Sequence, residues 1–358
     1  MKLAITADVH INSEKPERLE NFKHILQSIK KSGITRLIVA GDLCDDESDA
    51  PILLDACLKE HPGVEVLTIP GNHDYFLANR LFSAPNIKVF EKPQVSKIGD
   101  RSFLFLPYSD GETMGGIIEK SGLQTELEPD GWILVSHGDY GRINREASGH
   151  ELGYFPLAGN DIDLFRPKKV ILGHIHLPGP VSEIVVYTGS PWPLDINETG
   201  QRRILVLDTE TGHLEPLPLT GTPVYARINC VIIPDGEEQQ QLEQQIGRAI
   251  KKEKALYSGK NFLEKIVVRV QCRGYSTSRD KIENQVTGVL QSHGINHEQV
   301  DKIDIDELRV ADSEEHLVLA ARVTEYIQSL NMSGRDTDTI EALRPEITAR
   351  AYRILFGS

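Results

Sequence analysis

Five short polar segments, each at or near the end of a run of apolar residues, constrain the fold of this chain most strongly. The apolar runs span residues 3–5, 36–40, 66–69, 132–135 and 170–172, and the polar segments span 8–10, 41–42, 71–74, 137–138 and 173–176. Buried parallel strands read as near-continuous apolar runs rather than as alternating ones. In open α/β sheets, the functional crevice lies at the carboxyl ends of the strands. The pattern therefore predicts an α/β fold in which one edge of one sheet gathers these polar side chains.

The polar segments carry the ligand types of a two-metal hydrolytic site. Two divalent ions about 3.5–4 Å apart can clamp a phosphoryl group and generate hydroxide near neutral pH. Because their charges repel, a carboxylate is needed between them, and Asp42 is the candidate bridge. The other candidate ligands divide between the two ions: Asp8, His10 and His176 for one, and Asn72, His137 and His174 for the other. A nitrogen and oxygen set without thiolate favours a catalytic site, with Mn²⁺ preferred and iron or zinc as alternatives.

Each motif is weak evidence when taken by itself. The segment Gly71-Asn72-His73-Asp74 has the composition of an ordinary turn. The pair His174 and His176 is stronger, because alternate residues of an extended chain share a face. All five motifs together, in this order and at strand ends, predict the metal centre. Glycines at four of the strand ends are expected to allow sharp turns: Gly41, Gly71, Gly138 and Gly173.

This series of motifs resembles the calcineurin-like metallophosphoesterases and, within them, the Mre11/SbcD nucleases of DNA double-strand break repair. Protein Ser/Thr phosphatases carry an Arg-Gly pair after the second motif and Glu after Gly-Asn-His, whereas this chain has Leu43-Cys44 and Asp74. The stretch 187–194, Tyr-Thr-Gly-Ser-Pro-Trp-Pro-Leu, resembles the SbcD-type continuation after the last metal motif. The resemblance covers residues 1 to about 210 and fades over the remainder of the chain.

The resemblance implies a fold and two further catalytic roles. The fold is a two-sheet metallophosphoesterase sandwich with flanking helices. His73 is expected to face the substrate phosphate and to act as an acid on the leaving oxygen. Asp74 is expected to orient His73. Asp45 stands where some relatives have histidine, so a second imidazole at the phosphate is missing here.

The segmentation of the chain predicts three parts. Residues 1–222 form the metallophosphoesterase domain, 223–309 a small α/β cap that contacts DNA, and 310–358 a helical hairpin; the proline-rich stretch 214–223 marks the first boundary. The predicted helices span 17–32, 51–60, 237–254, 278–292, 313–330 and 337–356, and the cap strands span 224–233 and 263–272. A hairpin-like pair of strands is expected at 181–189 and 202–209. Pro345 is expected to kink or interrupt the last helix.

The net charge of −14 conceals one basic stretch. Between residues 248 and 281, ten Lys or Arg stand against three acidic residues. Phosphate backbones are bound by such local clusters rather than by whole-chain charge. The candidate DNA contacts are Lys251, Lys252, Lys254, Lys260, Arg269 and Arg273. The three lysines from 251 to 254 are equally compatible with the solvated end of a helix.

The favoured function is an Mn-dependent DNA exonuclease or endonuclease subunit of an Mre11–Rad50-like or SbcCD-like repair complex. The C-terminal hairpin would dock onto a Rad50/SbcC-like ATPase, although it could simply pack on its own domain. The alternatives are a small-molecule phosphodiesterase or phosphatase and a non-catalytic DNA-end clamp. Homodimerisation is possible in this family, but no stretch marks its surface. Four cysteines without ligand spacing indicate a cytoplasmic protein, and no segment approaches the roughly 18 apolar residues of a membrane helix.

Overall fold

A computed structural model describes residues 1–45, 49–141, 153–234, 237–276, 278–310, 314–330, 332 and 337–356. The chain divides into two compact units. Unit 1 comprises residues 1–194 and 202–222, and unit 2 comprises 195–201 and 223–358. The C-terminal helices, expected as a separate part, therefore belong to the same unit as the 223–309 segment.

Unit 1 contains two mixed sheets of six strands each within the described residues. The first has the order β12-β11-β1-β2-β3-β4 and consists of β1 (Lys2–Thr6), β2 (Arg36–Val39), β3 (Glu65–Thr68), β4 (Ile87–Val89), β11 (Arg203–Asp208) and β12 (Leu214–Pro218). The second has the order β5-β6-β7-β8-β10-β9 and consists of β5 (Gln94–Ile98), β6 (Arg101–Leu106), β7 (Trp132–His137), β8 (Lys169–Gly173), β9 (Gly179–Pro180) and β10 (Val185–Tyr187). The neighbours from β1 to β4 are parallel, as are those from β6 through β7 and β8 to β10.

The two sheets face each other across an apolar core. Ile5 and Leu205 from the first sheet belong to the same buried cluster as Phe103, Val135 and Ile171 from the second. Helices α1 (Pro16–Lys31) and α2 (Ala50–Glu60) cover the outer face of the first sheet. Helices α3 (Met114–Ser121) and α4 (Gly159–Phe165) cover the outer face of the second. This layered arrangement is the sandwich that the resemblance implied.

Helix α1 illustrates how the sequence produces these layers. Pro16 occupies its first turn, where a missing N–H costs nothing, and Gly33 follows its end with a φ of 74°. Phe22, Ile25 and Ile29 lie fully buried on one face, at the three- and four-residue spacing that one helical stripe requires. Each such side chain contributes roughly 1.5–3 kcal/mol by leaving water.

Two expectations about strand partners are wrong. The pair expected as a hairpin lies in different sheets: β10 pairs in parallel with β8, and β11 pairs antiparallel with β1. The five motif-bearing strands also do not share one sheet, because β1, β2 and β3 belong to the first and β7 and β8 to the second. Hydrophobic runs indicate strands, but they carry no information on which strands pair.

Unit 2 is built on a parallel sheet. Within the described residues it comprises β13 (Val224–Ile232), β14 (Ile266–Ser276), β15 (Val300–Asp304) and β16 (Leu308–Val310), with β15 and β16 both pairing with β14. Helices α5 (Glu238–Leu256) and α7 (Arg279–Ser292) pack on one face, and their apolar side chains share a cluster with the strands. The strand expected at 263–272 begins later, because residues Phe262–Lys265 form the short helix α6.

The last two helices are α8 (Glu314–Ser329) and α9 (Thr337–Phe356). Pro345 is expected to kink or interrupt the second of these helices; α9 runs through the proline, so the helix is not interrupted there, and the kink stays a prediction. Residues on both sides of the proline are held by neighbours: Arg344 donates to the carbonyl of Leu330 at 3.0 Å, and buried Tyr352 donates to that of Ala320 at 2.6 Å. Tertiary contacts thus override the local cost of proline. None of the helices in the described ranges is long and apolar enough to cross a membrane.

Candidate metal centre

The predicted ligands come together where five strand ends meet. Asp8 and His10 follow β1, Asp42 follows β2, and Asn72 follows β3. His137 ends β7, and His174 and His176 follow β8. The carboxyl edges of both sheets therefore contribute to one cluster. Sequence reasoning identified the strands correctly but assigned their ends to a single sheet edge.

Four candidate ligands have a backbone conformation that is rare for residues other than glycine. Their φ angles are positive: 53° at Asp8, 51° at His10, 52° at Asp42 and 91° at His174. Such conformations cost of order 1–3 kcal/mol each and cluster at functional sites. Here they turn the chain abruptly at the strand ends and bring the side chains toward a common centre.

The glycines beside the ligands provide space as much as turns. A Cβ atom on Gly71 would lie 2.2 Å from Oδ1 of Asp42, and one on Gly41 would lie 2.3 Å from Nδ1 of His137. Both approaches are shorter than any real side chain tolerates. Gly41 also has a φ of 89°, so it serves the turn as well, whereas at Gly71 the close approach is the constraint.

Asp8, His10 and His176 form the first group of candidate ligands. Their nearest ligand atoms all lie within 4.8 Å of one another. Nδ1 of His10 is 3.0 Å from Oδ1 of Asp45, which leaves Nε2 directed into the cluster. That Nε2 atom is buried and has no hydrogen-bond partner among the described residues. A buried polar atom without a partner is costly, and a cation bound here would supply the missing contact.

Asn72, His137 and His174 form the second group. Oδ1 of Asn72 is 3.0 Å from Nε2 of His137 and 3.2 Å from Nδ1 of His174. The other ring nitrogen of His137 lies 2.9 Å from the carbonyl oxygen of Ala40, the contact that fixes a ligating imidazole in one tautomer. Asp42 stands between the groups, its Oδ2 atom lying 3.2 Å from Nε2 of His137 and 3.8 Å from Nε2 of His10.

The electrostatics of the cluster fit a bound cation. Burial lowers the pKa of His137, but the charge and hydrogen bond of Asp42 outweigh it and raise this pKa to about 9. Burial likewise raises the pKa of Asp42, yet His137 and His10 hold it below its ordinary value. Burial and the charge of His137 lower the pKa of His174. The carboxylates thus favour positive charge at the centre, and these residues fit two divalent ions.

Asp45 is a carboxylate beside two imidazoles. Its Oδ1 atom lies 3.0 Å from Nδ1 of His10 and 3.5 Å from Nδ1 of His73. Its Oδ2 atom accepts from Arg18 at 3.1 Å and from Asn12 at 3.3 Å. The hydrogen bond from His10 is the main reason that the pKa of Asp45 is lowered. The position where some relatives have histidine therefore carries an anion that orients its neighbours.

Asp74 does not orient His73 as expected. The His73 side chain is half-exposed beside the cluster, and its backbone N–H donates to Oδ1 of Asp42 at 2.9 Å. Asp74 is fully buried, and its carboxylate accepts from the backbone N–H groups of Gly71, Leu43 and Cys44 at 2.6, 2.8 and 3.1 Å. Asp74 therefore holds two ligand-bearing turns together, and Asp45 is the carboxylate beside the His73 ring. Burial and the charge of Asp42 raise the pKa of Asp74 to about 6.

Two residues near His174 were missed by sequence reasoning. Oδ1 of Asp139 lies 3.6 Å from Nε2 of His174, and the ring of Tyr154 lies 4.8 Å from the imidazole. The backbone N–H of Tyr154 donates to Oδ2 of Asp139 at 2.8 Å. Asp139 directly follows the His137-Gly138 motif, which was an available signal. Tyr154 comes close only through the fold.

The predicted DNA contacts, which lie in unit 2, fall into two classes. Lys251, Lys252 and Lys254 are exposed in the last turns of α5, and Lys260 is exposed in the loop that follows. Arg269 forms an ion pair with Asp301 at 2.6 Å, and Arg273 forms one with Glu346. The lysines therefore present charge to solvent, whereas the arginines face acidic partners. A role in binding DNA stays a prediction for all six residues.

A model of the calcineurin-like phosphoesterase family matches residues 1–191. A curated relative, the DNA double-strand break repair protein Mre11 of Methanopyrus kandleri, is 23% identical over an alignment of 242 residues, and the match covers 57% of this chain. The match covers 51% of that relative, so the chain spans about half of its length.

Two solved structures are similar at low identity. An archaeal phosphodiesterase is 16% identical with a TM-score of 0.34, and the match covers 61% of this chain and all of that one (100%). A dimetal phosphatase from Danio rerio is 12% identical with a TM-score of 0.35, covering 57% of this chain and 91% of that one. Likeness at this level carries no information on substrate.

Proposed function

Because the chain belongs to the calcineurin-like phosphoesterase family, we propose that it is an Mn²⁺-dependent DNA nuclease that hydrolyses phosphodiester bonds at a two-metal site. The main support for hydrolysis at a two-metal site is the position of Asp42 between two imidazoles. Its Oδ2 atom lies 3.8 Å from Nε2 of His10 and 3.2 Å from Nε2 of His137. A carboxylate shared by two nitrogen-bearing ligand groups suits a bridge between two cations. The nitrogen and oxygen donors, without a thiolate, favour Mn²⁺ over a structural zinc ion.

Each group in the centre has a distinct role in this proposal. The ions, when bound, polarise the phosphate and lower the pKa of an attacking water. Asp42, Asp8 and Asn72 contribute the oxygen donors that hold them. His73 is half-exposed at the cluster and donates a proton to the leaving oxygen. Asp45, 3.5 Å from its Nδ1 atom, orients the His73 ring for that transfer.

Two observations support DNA as the substrate. The curated relative is named as a DNA double-strand break repair protein, and the exposed lysines of α5 form a basic cluster suited to a phosphate backbone. A small-molecule phosphodiesterase is the second candidate. It is favoured by the ion pairs of Arg269 and Arg273, which reduce the positive charge available to DNA. A DNA-end clamp without turnover is a weaker alternative, because the complete ligand set supports catalysis.

We further propose that a Rad50/SbcC-like ATPase docks on the C-terminal helices and that the complex works in the cytoplasm. Large apolar side chains are exposed there: Val318, Leu319 and Tyr326 on α8, and Ile354 on α9, with exposed fractions of 53%, 40%, 68% and 83%. Such side chains are typical of surfaces that a partner covers. Four buried free cysteines suit a reducing compartment. Replacing Tyr326 and Ile354 by lysine should abolish co-elution with the ATPase while leaving metal binding unchanged.

The first experiment combines DNA and small diesters in one comparison. The purified protein is incubated with Mn²⁺ and end-labelled duplex, hairpin DNA or bis-p-nitrophenyl phosphate. If the wild-type protein cuts DNA only with metal and the His73→Gln variant does not cut it, the proposed nuclease activity is supported. Turnover of the small diester alone, with DNA binding insensitive to salt, would contradict it and favour the small-molecule enzyme.

A further inference from the structure

Arg202 is a fully buried arginine beside the loop that carries His176. Burying a guanidinium group is costly unless its N–H groups are hydrogen-bonded. Its Nε atom donates to the carbonyl oxygen of Ser190 at 3.1 Å. Its Nη2 atom donates to the carbonyl oxygen of His176 at 2.7 Å. A buried positive charge is therefore committed to the main chain of a candidate metal ligand.

These hydrogen bonds close a ring that links three segments of the chain. The backbone N–H of Ser190 also donates to the carbonyl oxygen of His176, at 3.1 Å. His176 belongs to the loop after β8, Ser190 follows β10, and Arg202 directly precedes β11. Through its own carbonyl, Arg202 accepts from the N–H of Leu219 at 2.8 Å, which anchors the arginine to the first sheet. The loop of the second sheet is thereby fixed to a strand of the first.

The histidine whose main chain Arg202 holds is the more exposed of the two in its group. The side chain of His10 is 3% exposed and is tethered at Nδ1 by Asp45. The His176 side chain is 32% exposed, and its Nε2 atom lies 3.9 Å from Oδ1 of Asp8. His176 lies outside regular secondary structure, between β8 and β9. The conformation of this loop therefore contributes to the direction in which the imidazole points.

We propose that Arg202 is a positioning residue that orients His176 and thereby sets the affinity of the Asp8, His10 and His176 metal site. The inference rests on the two-metal centre of the proposed function, but it makes no assumption about the substrate. An arginine suits this role because its planar fork directs separate N–H groups at two carbonyl groups in a fixed geometry, whereas all donors of lysine sit on one atom at the end of a flexible chain. Both of these hydrogen bonds end on main-chain carbonyl groups, so Arg202 acts on His176 through the main chain.

Arg101 offers a matched control in the same unit. It too donates to main-chain carbonyls, those of Thr209, Gly131 and Glu210, at 3.2, 3.2 and 3.0 Å. It lies at the start of β6, whereas the ligands lie at the carboxyl ends of the strands. Arg101→Met and Arg202→Met thus remove the same kind of interaction at opposite ends of the strands. A merely structural role of Arg202 predicts similar behaviour of the two variants.

The test is the binding of Mn²⁺ to the metal-free protein, measured by calorimetry and by counting bound metal after desalting. Wild type and Arg101→Met should bind two ions. Arg202→Met should bind one ion normally and the other at least roughly tenfold more weakly, the effect typical of losing a group that orients a ligand. Arg202→Lys should be intermediate. The electron paramagnetic resonance signal should change from that of a coupled Mn²⁺ pair to that of an isolated ion.

Two results would overturn the proposal. One is wild-type affinity at both sites in Arg202→Met. The other is equal weakening of both sites in Arg202→Met and Arg101→Met, which would indicate general destabilisation. If Arg202→Met does not fold, the lysine variant decides, with wild-type binding counting against the proposal. The metal-binding test contains no substrate, so it does not depend on the proposed nuclease activity. A wild-type protein that binds two ions but does not cut DNA would refute the nuclease activity and leave the role of Arg202 intact.

Discussion

The side chain of Asp42 lies between two imidazoles, and the same carboxylate accepts the backbone N–H of His73 at 2.9 Å. It therefore connects both ligand groups to the residue assigned to proton transfer. Its two oxygens have separate roles, since Oδ1 holds the His73 turn and Oδ2 faces His10 and His137. A substitution that keeps the first role and removes the negative charge isolates the second.

Asp42→Asn should abolish binding of the metal pair together with hydrolysis. The asparagine retains an oxygen for the N–H of His73 but cannot offset the repulsion between two divalent cations. Metal content and turnover of bis-p-nitrophenyl phosphate, measured on the same preparation, check this. Two tightly bound ions in the variant would show that Asp42 does not bridge.

His73→Gln should retain both ions and lose about 10²–10⁴-fold in turnover of a diester with a poor leaving group, the usual contribution of an acid. The loss should be smaller for a p-nitrophenyl ester, whose leaving group needs little protonation. His213→Gln provides a control, because His213 is an exposed histidine of the same unit. Near-normal rates with both substrates would remove His73 from the mechanism.

At the scale of single residues, a signal is present in the sequence where the chemistry dictates the residue type, and metal binding by the candidate ligands stays a prediction. Seven candidate ligands were predicted from carboxylate, amide and imidazole groups after apolar runs, and the fold brings them together. Sequence reasoning failed for residues that orient a ligand. Asp74 was assigned to His73 because the two are adjacent, whereas its carboxylate binds backbone N–H groups. Arg202 gave no signal, because its partners lie 12 and 26 residues away.

At the scale of an element, the lysines of helix α5 have two alternative explanations. Its exposed lysines lie in its last turns, where positive charge interacts favourably with the negative end of the helix dipole. That stabilisation alone explains lysine at such a position. Contact with DNA requires more, namely that the charge contributes to binding and releases counterions. The two explanations predict different effects of charge reversal.

Replacing Lys251, Lys252 and Lys254 by glutamate should weaken DNA binding and reduce its salt dependence, by about 0.9 in the log–log slope for each phosphate that is no longer neutralised. Turnover of a small diester should be unchanged. The matched control reverses Lys30, Lys31 and Lys59, exposed lysines near the ends of α1 and α2 in unit 1. Filter binding from about 50 to 200 mM salt, the range over which such contacts act, checks this. Equal loss in both variants would mean that only net charge matters.

Sequence patterns predict the bounds of helices better than they predict the pairing of strands. The bounds of α1, α2 and α7 follow the predicted ones to within about a residue, because proline, glycine and one apolar stripe mark them locally. The pairing of β10 and β11 was mispredicted, because strand partners depend on distant segments. The sequence also does not decide between a kink and an interruption at Pro345; α9 continues through it, and the contacts of Arg344 and Tyr352 on either side involve α8 and the residue after it.

At the scale of the whole molecule, each of the two units has an apolar core of its own. The clusters of unit 1 lie between its sheets and under its helices, and a separate cluster joins β13 and β14 to α5 and α7. All candidate ligands lie in unit 1. A ligand that binds only the folded form stabilises the part that contains its site. Metal should therefore act on the two units unequally.

Thermal unfolding of the metal-free protein should show two transitions, of which Mn²⁺ raises only one. At a free Mn²⁺ concentration about a hundred times the dissociation constant, the gain in unfolding free energy for one site is about 2.7 kcal/mol. Calorimetry with and without Mn²⁺ measures it, and limited proteolysis assigns the shifted transition to residues 1–222. Asp42→Asn should remove the shift and leave the other transition in place. A single transition that Mn²⁺ raises as a whole would contradict this and mean that the units unfold as one, so that ligation at five strand ends stabilises the entire chain.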